Sequence, residues 1–230
     1  MNFRWIGLLL LLALGASYAT TYQTRRAKTS GFLGDYSQLR KGQGKEPLLV
    51  YFNPTADVSA YDKILIDPVV GYLGQGSRLN RLSPEDRQAL QDYFHATLRE
   101  QLGRDDALVD RPGPGTLRLR RAVTDARGTK PVADTLSTVV PVALAISALE
   151  RVALGKTLTT GSVRIEAEAL DAQTGKRLAA MVDERAGAKV TGRFDKWSKW
   201  QDVRDAFDYW GARMRGTLRE FRERADQKAR

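Results

Sequence analysis

Gly161-Ser162-Val163-Arg164-Ile165-Glu166-Ala167-Glu168-Ala169-Leu170, followed by Asp171-Ala172-Gln173-Thr174-Gly175-Lys176 and the run from Arg177 to Asp183, decides the fold class. From Val163 onward apolar and charged residues alternate one for one, the period of a half-buried β-strand and not of a helix. The alternation predicts that Val163, Ile165, Ala167 and Ala169 face a core, while Arg164, Glu166 and Glu168 face water. Asp171 to Lys176 is turn chemistry, because Asp and Thr side chains bond nearby backbone and Gly accepts a left-handed conformation. Arg177 to Asp183 is then the returning strand. A hairpin with one solvated face implies a sheet that is at least partly antiparallel.

Working outward, Thr116-Leu117-Arg118-Leu119-Arg120 alternates and continues through Val123. Leu48-Leu49-Val50-Tyr51-Phe52 is a short strand stopped by Asn53-Pro54. Lys63 to Val70 is continuously apolar at Ile64-Leu65-Ile66, which predicts a strand buried on both faces; Pro68 ends its central pairing. Ser83-Pro84-Glu85-Asp86 starts a helix, with Ser as N-cap, Pro in the first turn and acids at the positive end of the dipole. Its stripe is Leu90, Phe94, Leu98 and Leu102, and Gly103 stops it. A last helix runs from about Trp200 into the basic tail, with Val203, Phe207, Trp210, Met214, Leu218 and Phe221 at three- and four-residue spacing. The expected fold is α+β: a single domain with a mixed, mainly antiparallel sheet and two long amphipathic helices packed on one face.

The expected organisation is a signal peptide or short membrane anchor at 1–19, a basic linker with a short amphipathic element at 20–44, the α+β domain at 45–224 and a basic tail at 225–230. Arg4, the apolar run from Trp5 to Ala16 and the small residues Ser17 and Ala19 have the layout of an export signal. Three fates compete. Cleavage after Ala19 leads, because small residues occupy the positions before it. An uncleaved anchor is second: the apolar stretch falls short of the roughly 17–25 residues that span a bilayer. Arg25, Arg26 and Lys28 just downstream nevertheless oppose export of the chain beyond them. Lipidation is third and disfavoured, since Leu14-Gly15-Ala16-Ser17 resembles a lipobox in which Ser17 stands where the cysteine thiol is required.

Thr135 to Leu149 carries no charge and contains Pro141. It reads as a buried crossover helix or, in the sharper reading, as a segment that contacts a bilayer or a second subunit; an oligomer through residues 135–155 is the corresponding partner expectation. Phe32, Leu33, Tyr36 and Leu39 form a small amphipathic patch.

The chain has 230 residues, ample for one core. It has no cysteine and one histidine, His95, which excludes disulfides, thiolate chemistry, the commonest zinc sites and Ser-His-Asp triads. Gly155-Lys156-Thr157 lacks the earlier glycine and the following helix of a phosphate-binding loop. The net charge of +10 favours anionic surfaces. Asp35, Asp57 and Asp67 sit where aspartate bonds local backbone. Trp197, Trp200, Tyr209 and Trp210 concentrate aromatic area, as core packing or as a ligand rim. No catalytic, cofactor-binding or metal-binding residue is selected, and no cofactor is expected.

Ser30-Gly31-Phe32-Leu33, Asp35-Tyr36-Ser37 and Leu39, then Tyr51, Asn53-Pro54, Ala56-Asp57, Tyr61, Lys63 and Ile66-Asp67-Pro68-Val69, resemble the bacterial envelope family DUF3313. The Asp171–Gly175 turn and the Trp200/Trp210 helix fit it too, so the resemblance covers about residues 30 to 222. It implies a place in a Gram-negative envelope and brings no known activity. The expected function is therefore that of an exported cell-envelope protein, not an enzyme, with a binding or assembly role at the membrane in the periplasm or envelope. Its expected partners are an envelope protein or membrane surface, with anionic lipid as a candidate and no nucleic acid. The competing classes are a carboxylate-dependent hydrolase of envelope glycan or lipid and an anionic-lipid or lipopolysaccharide-binding module. Mass determination of the amino terminus after fractionation separates the three fates of residues 1–19; cleavage predicts a soluble chain beginning at Thr20.

Overall fold

The computed structural model describes residues 21–25, 28–128, 161–187 and 198–229. The amino-terminal segment, Thr135 to Leu149, Gly155-Lys156-Thr157 and Trp197 lie outside the described residues.

The long hairpin is the centre of the molecule. Its strands β8 (Ser162–Asp171) and β9 (Arg177–Gly187) pair antiparallel, and β7 (Thr116–Arg127) pairs antiparallel with β8 on the other side. Two short strands share the free edge of β9: β1 (Thr21–Gln23) beside Gly187 to Arg185, and β3 (Leu49–Phe52) beside Val182 to Ala179. The two-residue β2 (Arg40–Lys41) closes that side against β3. Along β7, β4 (Lys63–Ile66) and β5 (Val70–Gly71) run parallel, and β6 (Ala107–Val109) adds parallel to β4. The sheet is thus mixed and mainly antiparallel, in keeping with the alternating pattern of β8.

Gly175, at φ 70°, lets the chain reverse at the hairpin tip. Asp171 Oδ1 ties the turn by accepting from the backbone N–H groups of Gln173 at 3.0 Å and Thr174 at 2.7 Å. Its other oxygen accepts from the Tyr61 hydroxyl at 2.8 Å.

Helix α1 (Pro84–Leu102) begins as its sequence dictates: Ser83 Oγ accepts from the Asp86 N–H at 3.0 Å, and Gly103 caps the end. Helix α2 (Gln201–Ala229) is longer. Both lie on one face of the sheet. Leu90, Phe94, Leu98 and Leu102 of α1 meet Val203, Phe207 and Trp210 of α2 over Ile64, Leu117, Val163 and Ile165. The Phe94 and Phe207 rings stack with centroids 4.5 Å apart and planes 12° from parallel. Trp200, just before α2, and Trp210 within it belong to this core, with Tyr209 packed against it, so these three aromatics are packing.

Two local expectations are corrected. β4 buries Ile64 and Ile66, while Lys63 and Leu65 are half-buried; its apolar run reflects a strand flanked by neighbours on both edges and covered by helices on one face only. The expectation that Arg164, Glu166 and Glu168 face water also fails. Glu166 is 0% exposed and Glu168 5%, because residues 28–39 fold across that face. Phe32, Tyr36, Leu39, Leu49 and Tyr51 pack there around buried Leu33, Ala180 and Val182. The amphipathic patch read from the sequence is therefore the lid of the second face.

The helices approach closely because α2 carries Gly211 at the crossing. A Cβ placed there would lie 2.9 Å from Thr97 Cγ2 and 3.1 Å from Gln101 Cγ. Thr97 is buried and stiff at χ1, so it cannot turn aside. Gly211→Val is expected to cost about 1–3 kcal/mol, read as a lower urea midpoint at unchanged slope.

Candidate functional site

The face of the sheet away from the helices carries charge in a regular order. β8 projects Arg164, Glu166 and Glu168, and the flanking strands supply what each faces. Arg164 lies between Asp125 of β7 and Glu184 of β9, donating to Glu184 Oε2 at 2.9 and 2.7 Å. Glu168 is held by Arg120 of β7 and by Arg177 of β9, the latter through Nε at 3.0 Å. Glu166 is opposite Ala122 and Val182, whose side chains have nothing to give it. Its donors come from the lid: the Ser30 N–H and the Tyr36 hydroxyl, each at 2.5 Å. The Tyr36 oxygen in turn accepts from the backbone N–H of Gly31 at 2.8 Å and of Leu33 at 3.3 Å. Burial, and after it the Glu166 carboxylate, holds the Tyr36 hydroxyl above the usual phenol range. Arg177 pins the same loop by donating to the carbonyls of Leu33 and Asp35, both at 2.8 Å.

At one end of this face a polar groove of about 580 Å³ is bounded by Arg25, Lys28, Ser77, Arg78, Asp125 and Glu184. Its charged centre is internally satisfied. Asp125 accepts from Arg78 Nε at 3.0 Å and from the Arg78 backbone N–H at 2.8 Å, and Arg164 lies 3.8 Å away. Burial pushes the Asp125 carboxyl up, but the Arg78 bonds and the Arg78 and Arg164 charges outweigh it and hold the group below its ordinary value.

The helix-side face has a different opening. Between α2 and the sheet lies a cleft of about 510 Å³. Its floor is Leu117, Leu119 and Arg121 of β7, Ala167 and Ala169 of β8, and Leu178 and Met181 of β9; Trp210, Met214, Leu218 and Phe221 of α2 form its roof. The mouth is marked by Phe52, 37% exposed, whose ring is 5.1 Å from that of Phe221. The row Arg121–Ala167–Met181 crosses the floor in register, so the residue beside Arg121 on β8 is a small one.

Charged side chains line the rim of this space, among them Arg40, Lys45, Glu46, Arg213 and Glu220, while Asp183 and Arg121 are buried within it. Asp183 is fully engaged, accepting from Trp210 Nε1 at 2.8 Å, Gln23 Nε2 at 2.7 Å and the Leu48 N–H at 3.3 Å; burial raises its pKa. Arg121, 1% exposed, is not. Its Nη2 donates to the Asp67 carbonyl at 2.7 Å, but Nε and Nη1 are buried without a hydrogen-bond partner. Burial pulls its pKa down to about 10, opposed by the Asp67 charge, so it stays cationic at neutral pH. Arg185, also buried, is by contrast satisfied by the Thr21 hydroxyl at 2.9 Å, the Thr21 carbonyl at 2.6 Å and the Tyr209 ring at 3.6 Å.

The sequence singles out no residue as catalytic, cofactor-binding or metal-binding. Asp35 and Asp57 bond local backbone as expected, at Ser37 and Ser59, whereas Asp67 is engaged by Arg118 Nε at 3.0 Å. His95 is half-buried on α1. Among the described residues no cluster of His, Asp and Glu could hold a metal ion, and no helix is long and apolar enough to cross a membrane. Sequence reasoning missed Arg121. The signal was there, since an arginine at 121 breaks an alternation in which Leu117, Leu119 and Val123 share its face.

The family described as a protein of unknown function, DUF3313, matches residues 28–214. The chain belongs to this family. Those residues include the Ser30–Leu39 lid, every strand after β1 and the roof of the cleft as far as Met214. The Escherichia coli K12 protein called uncharacterized lipoprotein YdcL is 29% identical over 167 residues, covering 71% of this chain and 73% of its own. Among solved structures, a PelC dodecamer from Paraburkholderia phytofirmans is similar over 74% of this chain and 94% of that one, at 14% identity and a TM-score of 0.40. A DUF330 protein from Xanthomonas campestris is similar over 76% and 94%, at 12% identity and a TM-score of 0.43.

The charged face yields two expected outcomes. Tyr36→Phe strips one of two donors from buried Glu166 and orphans the Gly31 and Leu33 N–H groups, so it is expected to cost about 1–3 kcal/mol in urea unfolding. Asp125, held below its ordinary value in the fold, contributes stability that is present above that value and lost as pH falls through the lower folded one. Asp125→Asn is expected to flatten this part of the acid limb, measured as urea midpoints from about pH 5 downward.

Proposed function

We propose that this family member is a non-enzymatic protein of the cell envelope that works by binding, and that the cleft beneath α2 takes an apolar chain. The observation that carries this is the cleft itself. Its volume of about 510 Å³ and its lining of Leu117, Leu119, Ala167, Met181, Met214 and Leu218 match the size and character of small-molecule sites. Methionines at 181 and 214 add an adaptable wall, suited to a flexible ligand.

The envelope location is supported by the name of the E. coli relative, a lipoprotein, and by the export-like layout of residues 1–19. The absence of an enzymatic role is supported by the state of the carboxylates beside the polar groove: Asp125 and Glu184 are occupied by Arg78 and Arg164. Ser17 leaves the chain without the thiol that a lipid anchor needs.

The test is titration of the full chain with N-phenyl-1-naphthylamine, a neutral apolar dye, read as dye emission and as energy transfer from the tryptophans, of which Trp210 lines the cleft. Saturable uptake is expected. Ala167→Phe, which places a ring on the cleft floor, is expected to weaken uptake at least about tenfold while the far-ultraviolet circular dichroism is kept. Wild-type protein that takes up no dye, or a variant that takes it up equally well, overturns the cleft as a binding site.

A further inference from the structure

We infer that Arg121 is the anion receptor of the cleft, and that the ligand is a single-chain amphiphile whose carboxylate lies against this guanidinium while its chain runs under α2 toward Phe52 and Phe221. This rests on the cleft being a binding site and adds the chemistry of its ligand.

The first observation is the unmet demand at Arg121. A buried guanidinium without its donors satisfied is among the costliest groups a core can hold. Here two of its three nitrogens, Nε and Nη1, have no partner, while Nη2 is spent on the Asp67 carbonyl. The nearest acid, Asp67, is committed to Arg118 through both of its oxygens at 3.0 Å. The carboxylates of the cleft lining are committed as well: Asp183 to Trp210, Gln23 and Leu48, Glu168 to Arg120 and Arg177, Glu46 to Arg40 and Glu220 to Arg213. No side chain among the described residues is thus available to neutralise Arg121, although Arg185 on the same sheet is fully served.

The second observation is where the group sits. Arg121 is at the deep end of the cleft, 1% exposed, and Phe52 is at its mouth. Leu117, Leu119, Ala167, Met181, Met214 and Leu218 give the floor and roof an apolar surface, and the charged residues Arg40, Lys45 and Glu46 of the lining are on or beside the edge strand β2. A ligand that satisfies both ends has one compact anionic group and an unbranched apolar body. A carboxylate carries a single negative charge, which cancels that of Arg121. A phosphate near its second ionisation would bring additional charge against a single fully buried cation, since Arg40, Lys45 and Arg213 of the lining are exposed or half-buried. Two alkyl chains would also need two apolar channels, and the cleft is one.

The charge on Arg121 is also felt by the chain's single histidine. His95 lies below its usual pKa, first because of burial and then because of the Arg121 and Arg99 charges, against the opposing influence of Asp92 and the Asp67 carbonyl. Neutralising Arg121 therefore releases His95 upward. This is a spectroscopic signature that a purely structural arginine would not produce.

Calorimetric titration of the full chain with dodecanoate and with dodecanol at about pH 8, where the carboxylate is ionised, tests the inference. Wild-type protein is expected to bind dodecanoate about 10- to 100-fold more tightly than the alcohol, the range for a charge-assisted pair out of water. Arg121→Met, which removes the charge and keeps an unbranched apolar side chain, is expected to abolish that preference while the unliganded protein unfolds at the same or a higher urea concentration. Independently of any variant, saturating dodecanoate is expected to raise the titration midpoint of the His95 ring protons in the wild-type chain, and dodecanol is not. Equal affinity for acid and alcohol, or a His95 midpoint unmoved by bound dodecanoate, overturns the role of Arg121 and leaves the cleft standing. Failure of both ligands to bind overturns the cleft with it.

Discussion

A carboxylate buried at the centre of the sheet, Glu166, sets the terms for the rest of this molecule. Its cross-strand neighbours are Ala122 and Val182, so the sheet that buries it cannot satisfy it. The donors are brought from more than a hundred residues away by the Ser30–Leu39 loop. That loop is shaped for the task. Gly31 takes a φ of 103°, Tyr36 both donates to Glu166 and gathers two backbone N–H groups, and Arg177 ties the loop's carbonyls to β9. The motif by which the chain resembles its family is in this light a capping device for a buried acid.

With one face of the sheet closed by this polar lid, the helices are confined to the other. α1 lies against β5 and shares a core with Ile64 of β4 and Leu117 of β7, and α2 crosses β8 and β9. Gly211 lets the two helices meet, and beyond that crossing α2 continues over small floor residues, Ala167 and Ala169. The cleft is a consequence of this geometry: a long helix carried past its partner over a floor too shallow to fill the gap. Arg121 is the charge left in that space.

The sequence is legible where a local pattern and its environment agree. The hairpin of β8 and β9, the capped start of α1 and the apolar stripe of α2 are written in periods of 2 and 3.6 that packing only confirms. It misleads where a charged residue stands in an alternating strand. Arg164, Glu166 and Glu168 read as solvent-facing because charge ordinarily seeks water. They are withdrawn from it instead because partners from β7, β9 and the lid replace that water, and no local pattern records partners so distant in sequence. Arg121 escapes notice for a related reason: one polar residue on an apolar face looks like an irregularity until its missing hydrogen bonds can be counted.

By itself the sequence determined the family, through the Ser30–Val69 motif series, and the class of fold, since alternation in β8 and the stripes of two helices admit a half-covered sheet and little else. It also excluded whole chemistries by holding no cysteine and a single histidine. Tertiary structure alone decided which charges are spent on each other and which is left over. Glu166 and Arg121 lie on adjacent strands and opposite faces, each out of water. One is satisfied by a loop from the far end of the chain, and the other faces a cleft that only the crossing of α1 and α2 creates. Burial and pairing are properties of three-dimensional neighbours, and the order of residues along the chain does not contain them.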